Sequence, residues 1–134
     1  MGGMPPPPRA ARTLVPATAV SLVWFYEGLW CKVWPGREDH RSIIADLPLL
    51  PDSLVTPVLV AIGLAEAVIG LWVLSGRWPY AAAAVQTALI GAFNLGGLLA
   101  SPDNIDEPGR MLTANLAVVV LAWVVAGRHA EARP

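Results

Sequence analysis

Charged side chains are scarce in this sequence. Asp, Glu, Lys and Arg together make up 14% of its 134 residues, against about a quarter in an ordinary soluble domain. So few charges cannot cover a water-facing surface. The net charge of −1 also leaves out the basic face that nucleic-acid binding requires, so no nucleic-acid partner is expected. Cysteine is confined to Cys31, which excludes an internal disulfide, a CxxC redox pair and a thiolate metal cluster. The apolar segments carry no phosphate-binding glycine loop, no nucleophile–histidine arrangement and no haem ligand pair. Neither a catalytic residue nor a metal site is therefore expected. The first apolar stretch lacks a clear small-residue cleavage site, so it does not read as a signal peptide. Pro6 occupies the position where myristoylation of Gly2 wants Ser or Thr.

What the sequence has in quantity is hydrophobic residues, at 55%. They fall into four segments, 14–34, 54–74, 80–100 and 111–126. A bilayer-spanning helix needs about 20 mostly apolar residues. The first three segments meet that length, and Arg110 and Arg128 can extend the fourth by snorkelling to the two interfaces. The segments are continuously apolar and rich in Ala and Leu, so strands are not expected. They lack the polar stripe that each helix of a soluble all-α core would show. The predicted fold is an all-α integral membrane four-helix bundle over residues 14–127. A disordered proline-rich tail precedes it (1–13) and a short tail follows it (128–134). Pro16 and Pro57 are placed in first helical turns, where a missing N–H costs little. The segment 35–53 reads as a long loop, 75–79 as a tight turn and 101–110 as a polar loop.

Four spans put both termini on one side. Arg9, Arg12, Arg77, Arg128 and Arg133 then share the terminal side, with Lys32, Arg37, Arg41 and Arg110 opposite. The positive-inside rule assigns the terminal side to the cytoplasm. Trp34, Trp78, Tyr80 and Trp123 fit interfacial belts, while Trp24 and Trp30 lie deeper, in lipid or core contact. Small residues recur at Ala84, Ala88, Ala92 and Gly96 and again at Gly63, Ala67 and Gly70. Such stripes let helices approach closely, within one bundle or between two copies in a homo-oligomer.

Polar residues inside the spans are the candidate site. At 1.5 Å per residue, Glu27 and Asn94 lie roughly 20 Å and 21 Å from the terminal side, and Glu66 and Gln86 roughly 12 Å and 9 Å. Asn115 falls in the outer half near Glu27 and Asn94. Two layers are predicted: an outer one of Glu27, Asn94 and Asn115 with Lys32 one turn above, and an inner one of Glu66 with Gln86. A carboxylate at mid-depth is costly unless partnered or protonated. Glu27 and Glu66 are therefore weighed as ligand or proton-relay groups, and Gln86 and Asn115 as interhelical glue. Lys32 is expected to snorkel to the interface, His40 to sit in a solvated loop, His129 to belong to the tail, and Cys31 to be an inert buried thiol.

The stretches WFYEGLWCKVWPG (24–36), GLAEAVIGLWVL (63–74) and SPDNIDEPGRMLTANLAVVVLAW (101–123) resemble the DoxX-like family of small bacterial four-span membrane proteins. Glu27, Lys32, Glu66 and Asn115 match its pattern, and the proline-rich start departs from it. The founding relatives are associated with membrane redox complexes, including a thiosulfate:quinone oxidoreductase subunit. The resemblance thus implies a non-catalytic accessory or subunit of a quinone-linked system, with quinone as the cofactor and an oxidoreductase as the partner. The residues leave open a small transporter or proton-conducting protein using Glu27 and Glu66, and a structural membrane scaffold.

Overall fold

A computed structural model describes residues 2–5 and 9–132. Five α-helices follow in order: α1 (Arg9–Phe25), α2 (Glu38–Ala45), α3 (Val55–Ser75), α4 (Pro79–Ala100) and α5 (Pro108–Ala132). A π-helical stretch, Tyr26–Val33, continues α1 without a break. Short 3₁₀ turns at Asp52–Leu54 and Pro102–Asn104 lead into α3 and out of α4. Among the described residues there is no strand. Four helices are long and apolar enough to cross a bilayer: Arg12–Val33, Asp52–Ser75, Pro79–Ala100 and Pro108–Ala132. At most a third of each apolar window is buried inside the protein. The exposed remainder, with residues such as Leu22, Leu64, Val68, Leu71, Leu99 and Leu116, is a surface for lipid rather than water.

Several expected boundaries move. Residues 9–13, read as tail, belong to α1, and residues 128–132 belong to α5. Hydrophobicity marks where a helix meets lipid, whereas the backbone ladder runs on into the interface, and at the end of α5 the basic last-turn residue His129 suits the helix dipole. Pro16 consequently lies inside α1 and not in its first turn, whereas Pro57 is where it was predicted. Pro6–Pro8 lie outside the described residues, and Gly2–Pro5 have no regular structure. The loop 35–53 contains α2, whose first turn carries Glu38 and Asp39. Acidic residues there complement the helix dipole.

The helices pack in the spatial order α3, α1, α5, α4; α3 and α4, though joined by the tight turn, touch far less than the pairs adjacent in that order. The turn is made by Gly76 at φ 68° and Trp78 at φ 43°, after which Pro79 opens α4. Ala17, Val20 and Trp24 of α1 meet Ile69 and Val73 of α3 and Val125 of α5 in the apolar core. The two small-residue stripes behave differently. Gly63 and Gly70 are buried against α1 and its π-helical stretch. Ala84, Ala88 and Ala92 face outward, away from the rest of the bundle, because α4 turns Ala82, Ala83 and Gln86 inward instead. At the loop end, α2 lies across the bundle. Its C-cap residue Asp46 accepts hydrogen bonds from Ser101 Oγ at 2.5 Å and Asn104 Nδ2 at 3.0 Å, so α2 is tied to the end of α4.

Candidate functional site at the loop end of the bundle

The site begins with a close approach of two backbones. Gly28 of the π-helical stretch and Gly63 of α3 face each other. A Cβ on Gly63 would stand 2.6 Å from the carbonyl oxygen of Gly28 and 2.9 Å from Cβ of Lys32. A Cβ on Gly28 would collide with the carbonyl of Gly63 and lie 3.0 Å from Cβ of Glu66. Only glycine at both positions lets the stretch settle onto α3, and that contact brings Lys32 against Glu66. Two turns further along α3, the ring of Phe25 packs over Gly70, 2.7 Å from where a Cβ would stand.

Lys32 does not snorkel outward. Its side chain is 10% exposed and folds back along its own helix. Nζ stands 2.9 Å from Oε1 and 3.2 Å from Oε2 of Glu66, and donates to the backbone carbonyl of Glu27 at 3.1 Å. The contact to Oε2 has hydrogen-bond geometry. Oε1 is buried and takes no hydrogen bond, so this oxygen has only the nearby positive charge. Glu66 is 2% exposed and is the one buried acid among the described residues. The pair forms because a buried cation and a buried carboxylate are each too costly alone.

Glu27 turns the other way. Its carboxylate is half-exposed, and Oε2 lies 3.6 Å from Nε2 of His40 on α2. Cys31, fully buried, lies on the same face of the π-helical stretch. A ligand atom from each of Glu27, Cys31 and His40 lies within 4.8 Å of the others. His40 is brought there by backbone bonds from Gly36 N to Trp30 O (2.9 Å) and Arg37 N to Cys31 O (2.7 Å), which fold the chain back over the end of the span. Gly36, at φ 79°, makes the turn. His40 is therefore not a solvated loop residue. Burial, and then the positive charge of Lys32, push its imidazole down to about 4. The ring is neutral at pH 7, and its contact with Glu27 is not an ion pair. Asp39 accepts from His40 N at 3.0 Å and is paired with Arg37 at 2.9 Å.

The predicted layers are thus regrouped. Asn115 Nδ2 donates to Asn94 Oδ1 at 2.8 Å, and Asn94 Nδ2 donates to the carbonyl of Ile90 at 2.6 Å. Glu27 does not join them: its stretch packs on α3, while Asn94 and Asn115 join α4 to α5. Gln86 does not meet Glu66 either. Its Oε1 accepts from Trp24 Nε1 at 2.9 Å, and its Nε2 donates to the carbonyl of Ala82 at 3.0 Å. Equal depth was a sound reading of rise per residue, but helix rotation decides which side chains share a face. Trp24 is core, with its indole nitrogen satisfied by Gln86. His129, read as tail, lies on α5 with Nε2 3.1 Å from the carbonyl of Val73.

Cys31 and His40 were not among the sequence candidates. Glu27 and Cys31 are four apart, a spacing that places them on one helix face. His40 carries no comparable signal, since its position depends on the turn at 34–37. The π-helical geometry is a further sign, because π turns within helices occur frequently at functional sites.

A family model described as the DoxX-like family matches residues 21–123, which include every residue of the loop-end cluster. No curated protein matches the chain, and no solved structure matches it.

Proposed function

The chain belongs to the DoxX-like family, and from that premise we propose that it is a non-catalytic component of a quinone-linked redox system. It sits in the plasma membrane with both termini in the cytoplasm, beside a partner oxidoreductase. The observation that carries this reading is the buried Lys32–Glu66 pair, with Oε1 of Glu66 lacking a hydrogen-bond donor. An ammonium can donate to a quinone carbonyl, and a carboxylate oxygen held only by the ammonium's charge can accept from a quinol hydroxyl. The pair therefore offers the complementary group for each redox state of a quinone head, which when bound would carry the electrons. Lys32 keeps one of its three N–H donors beyond those given to Glu66 and the Glu27 carbonyl. The exposed Tyr26, Leu29 and Trp30 on the same stretch give an isoprenoid tail an apolar surface to follow.

A proton-conducting role has less support. Glu27 and Glu66 both serve the loop end of the bundle, where Lys32 reaches the carboxylate of Glu66 but only the backbone carbonyl of Glu27. One to two turns further toward the termini the buried polar partners are Ser21, Trp24 and Gln86, none of which titrates. Native mass spectrometry of the gently purified protein tests the proposal. Wild type should retain a quinone, and the double variant Lys32→Met/Glu66→Leu should lose it while keeping its fold. A wild-type protein free of quinone, equal to the double variant, would leave a structural scaffold as the function.

A further inference from the structure

We propose that Glu27, Cys31 and His40 form a three-ligand site for a borderline divalent cation of the Zn²⁺ class, at the loop end of the first span. The three ligand atoms lie within 4.8 Å of one another. Around tetrahedral zinc, with bonds of about 2.0–2.3 Å, neighbouring ligand atoms stand roughly 3.3–3.8 Å apart. The Glu27–His40 separation of 3.6 Å already has that value, and shifts of about an ångström in side chains close the rest. The ligands come from two elements, the π-helical stretch and α2, so a bound ion would staple the loop helix to the span.

Ligand chemistry selects the ion. One thiolate, one imidazole and one carboxylate are a mixed set suited to Zn²⁺ and its neighbours. Mg²⁺ and Ca²⁺ want a shell of oxygens, which this site does not supply. Charge also closes. Binding releases the Cys31 proton to solvent, giving Zn²⁺ with one thiolate, one carboxylate and a neutral imidazole, for a sum of zero. A neutral assembly suits the edge of a bilayer better than the bare carboxylate of Glu27. Neither neighbouring cation occupies a ligand atom of the site, since Lys32 is held by Glu66 and Arg37 by Asp39. With Glu27 half-exposed, the fourth coordination position faces outward, as in zinc sites that keep water or an exchangeable ligand. Nothing in this inference depends on the quinone reading, which uses Lys32 and Glu66.

The test uses the full chain, purified in mild detergent with a tag that contains no histidine, and Co²⁺ as the spectroscopic probe. A single equivalent should bind with a near-ultraviolet thiolate-to-cobalt charge-transfer band, which Zn²⁺ abolishes by displacement. Cys31→Ser should remove the band. His40→Gln and Glu27→Gln should each weaken binding by about tenfold or more, while His129→Gln leaves it unchanged. His40→Gln lies outside the span and carries the test if Cys31→Ser does not fold. The absence of a thiolate–cobalt band in wild type, or binding that survives His40→Gln at full strength, would overturn the proposal.

Discussion

The two helix pairs of this bundle are joined by different chemistry. α1 with its π-helical stretch meets α3 through apposed glycines and a buried ion pair, and the same stretch meets α2 through a carboxylate, a thiol and an imidazole. α4 meets α5 through neutral groups: the Asn94–Asn115 amide pair and the bond from Trp123 Nε1 to Thr87 Oγ1 at 2.9 Å. Neutral interhelical hydrogen bonds are cheap to hold in lipid and are worth about 0.6 kcal/mol on average. Buried ions are expensive to hold, and membrane proteins keep them where they are used. On the function proposed above, the α4–α5 seam serves assembly and the α1–α3 seam is the working part of the molecule.

The largest expected effect comes from unbalancing the working seam. Lys32→Met leaves Glu66 buried without a cation and should lower stability by about 3–5 kcal/mol, read as a fall in the thermal midpoint in detergent. The double variant Lys32→Met/Glu66→Leu should recover most of that loss, and a double variant no more stable than the single would disprove the pairing. A smaller loss is expected for Gly63→Val, which pushes a side chain into the Gly28 carbonyl. Overpacking of this kind costs about 1–3 kcal/mol, and cysteine cross-linking between the π-helical stretch and α3 should become less efficient. The smallest belongs to the other seam. Asn115→Leu should change stability by only about 0.6 kcal/mol. A loss comparable to that of Lys32→Met would erase the contrast between the two halves.

The spans were readable in the sequence because a 20-residue apolar run has few other stable solutions. Glycine spacing at Gly63 and Gly70 marked a face packed within the bundle, whereas Ala84, Ala88 and Ala92 face away from it, where of their two readings only contact between copies could use them. A small side chain permits contact without requiring it, so the stripe on α4 could equally face outward. The site was harder. Depth along a helix can be counted, but rotation about its axis depends on partners. Glu27, placed with Asn94 by depth, instead faces α2. Lys32 was expected at the interface because an isolated helix would send it there. It turns inward because Gly28 and Gly63 bring Glu66 within reach, a relation between residues 35 positions apart that neither segment reveals alone. α2 left a fainter trace in Glu38 and Asp39, acids at a helix start, within a segment short of apolar residues that reads as a loop.

The inward fold of Lys32 also has a consequence for biosynthesis. Its partner Glu66 lies 34 residues further along the chain. At about 5–20 residues per second, translation delivers that partner roughly 2–7 seconds later. During that interval the first span holds an ammonium with no acid beside it, so the cation must remain among the headgroups. Entry of α3 then draws it inward. In ribosome-arrested chains, a cross-linker at position 32 should reach lipid headgroups when the chain stops short of Glu66, and α3 when it extends beyond. The first of the four spans described would thus be the one whose loop end settles only after α3 has arrived.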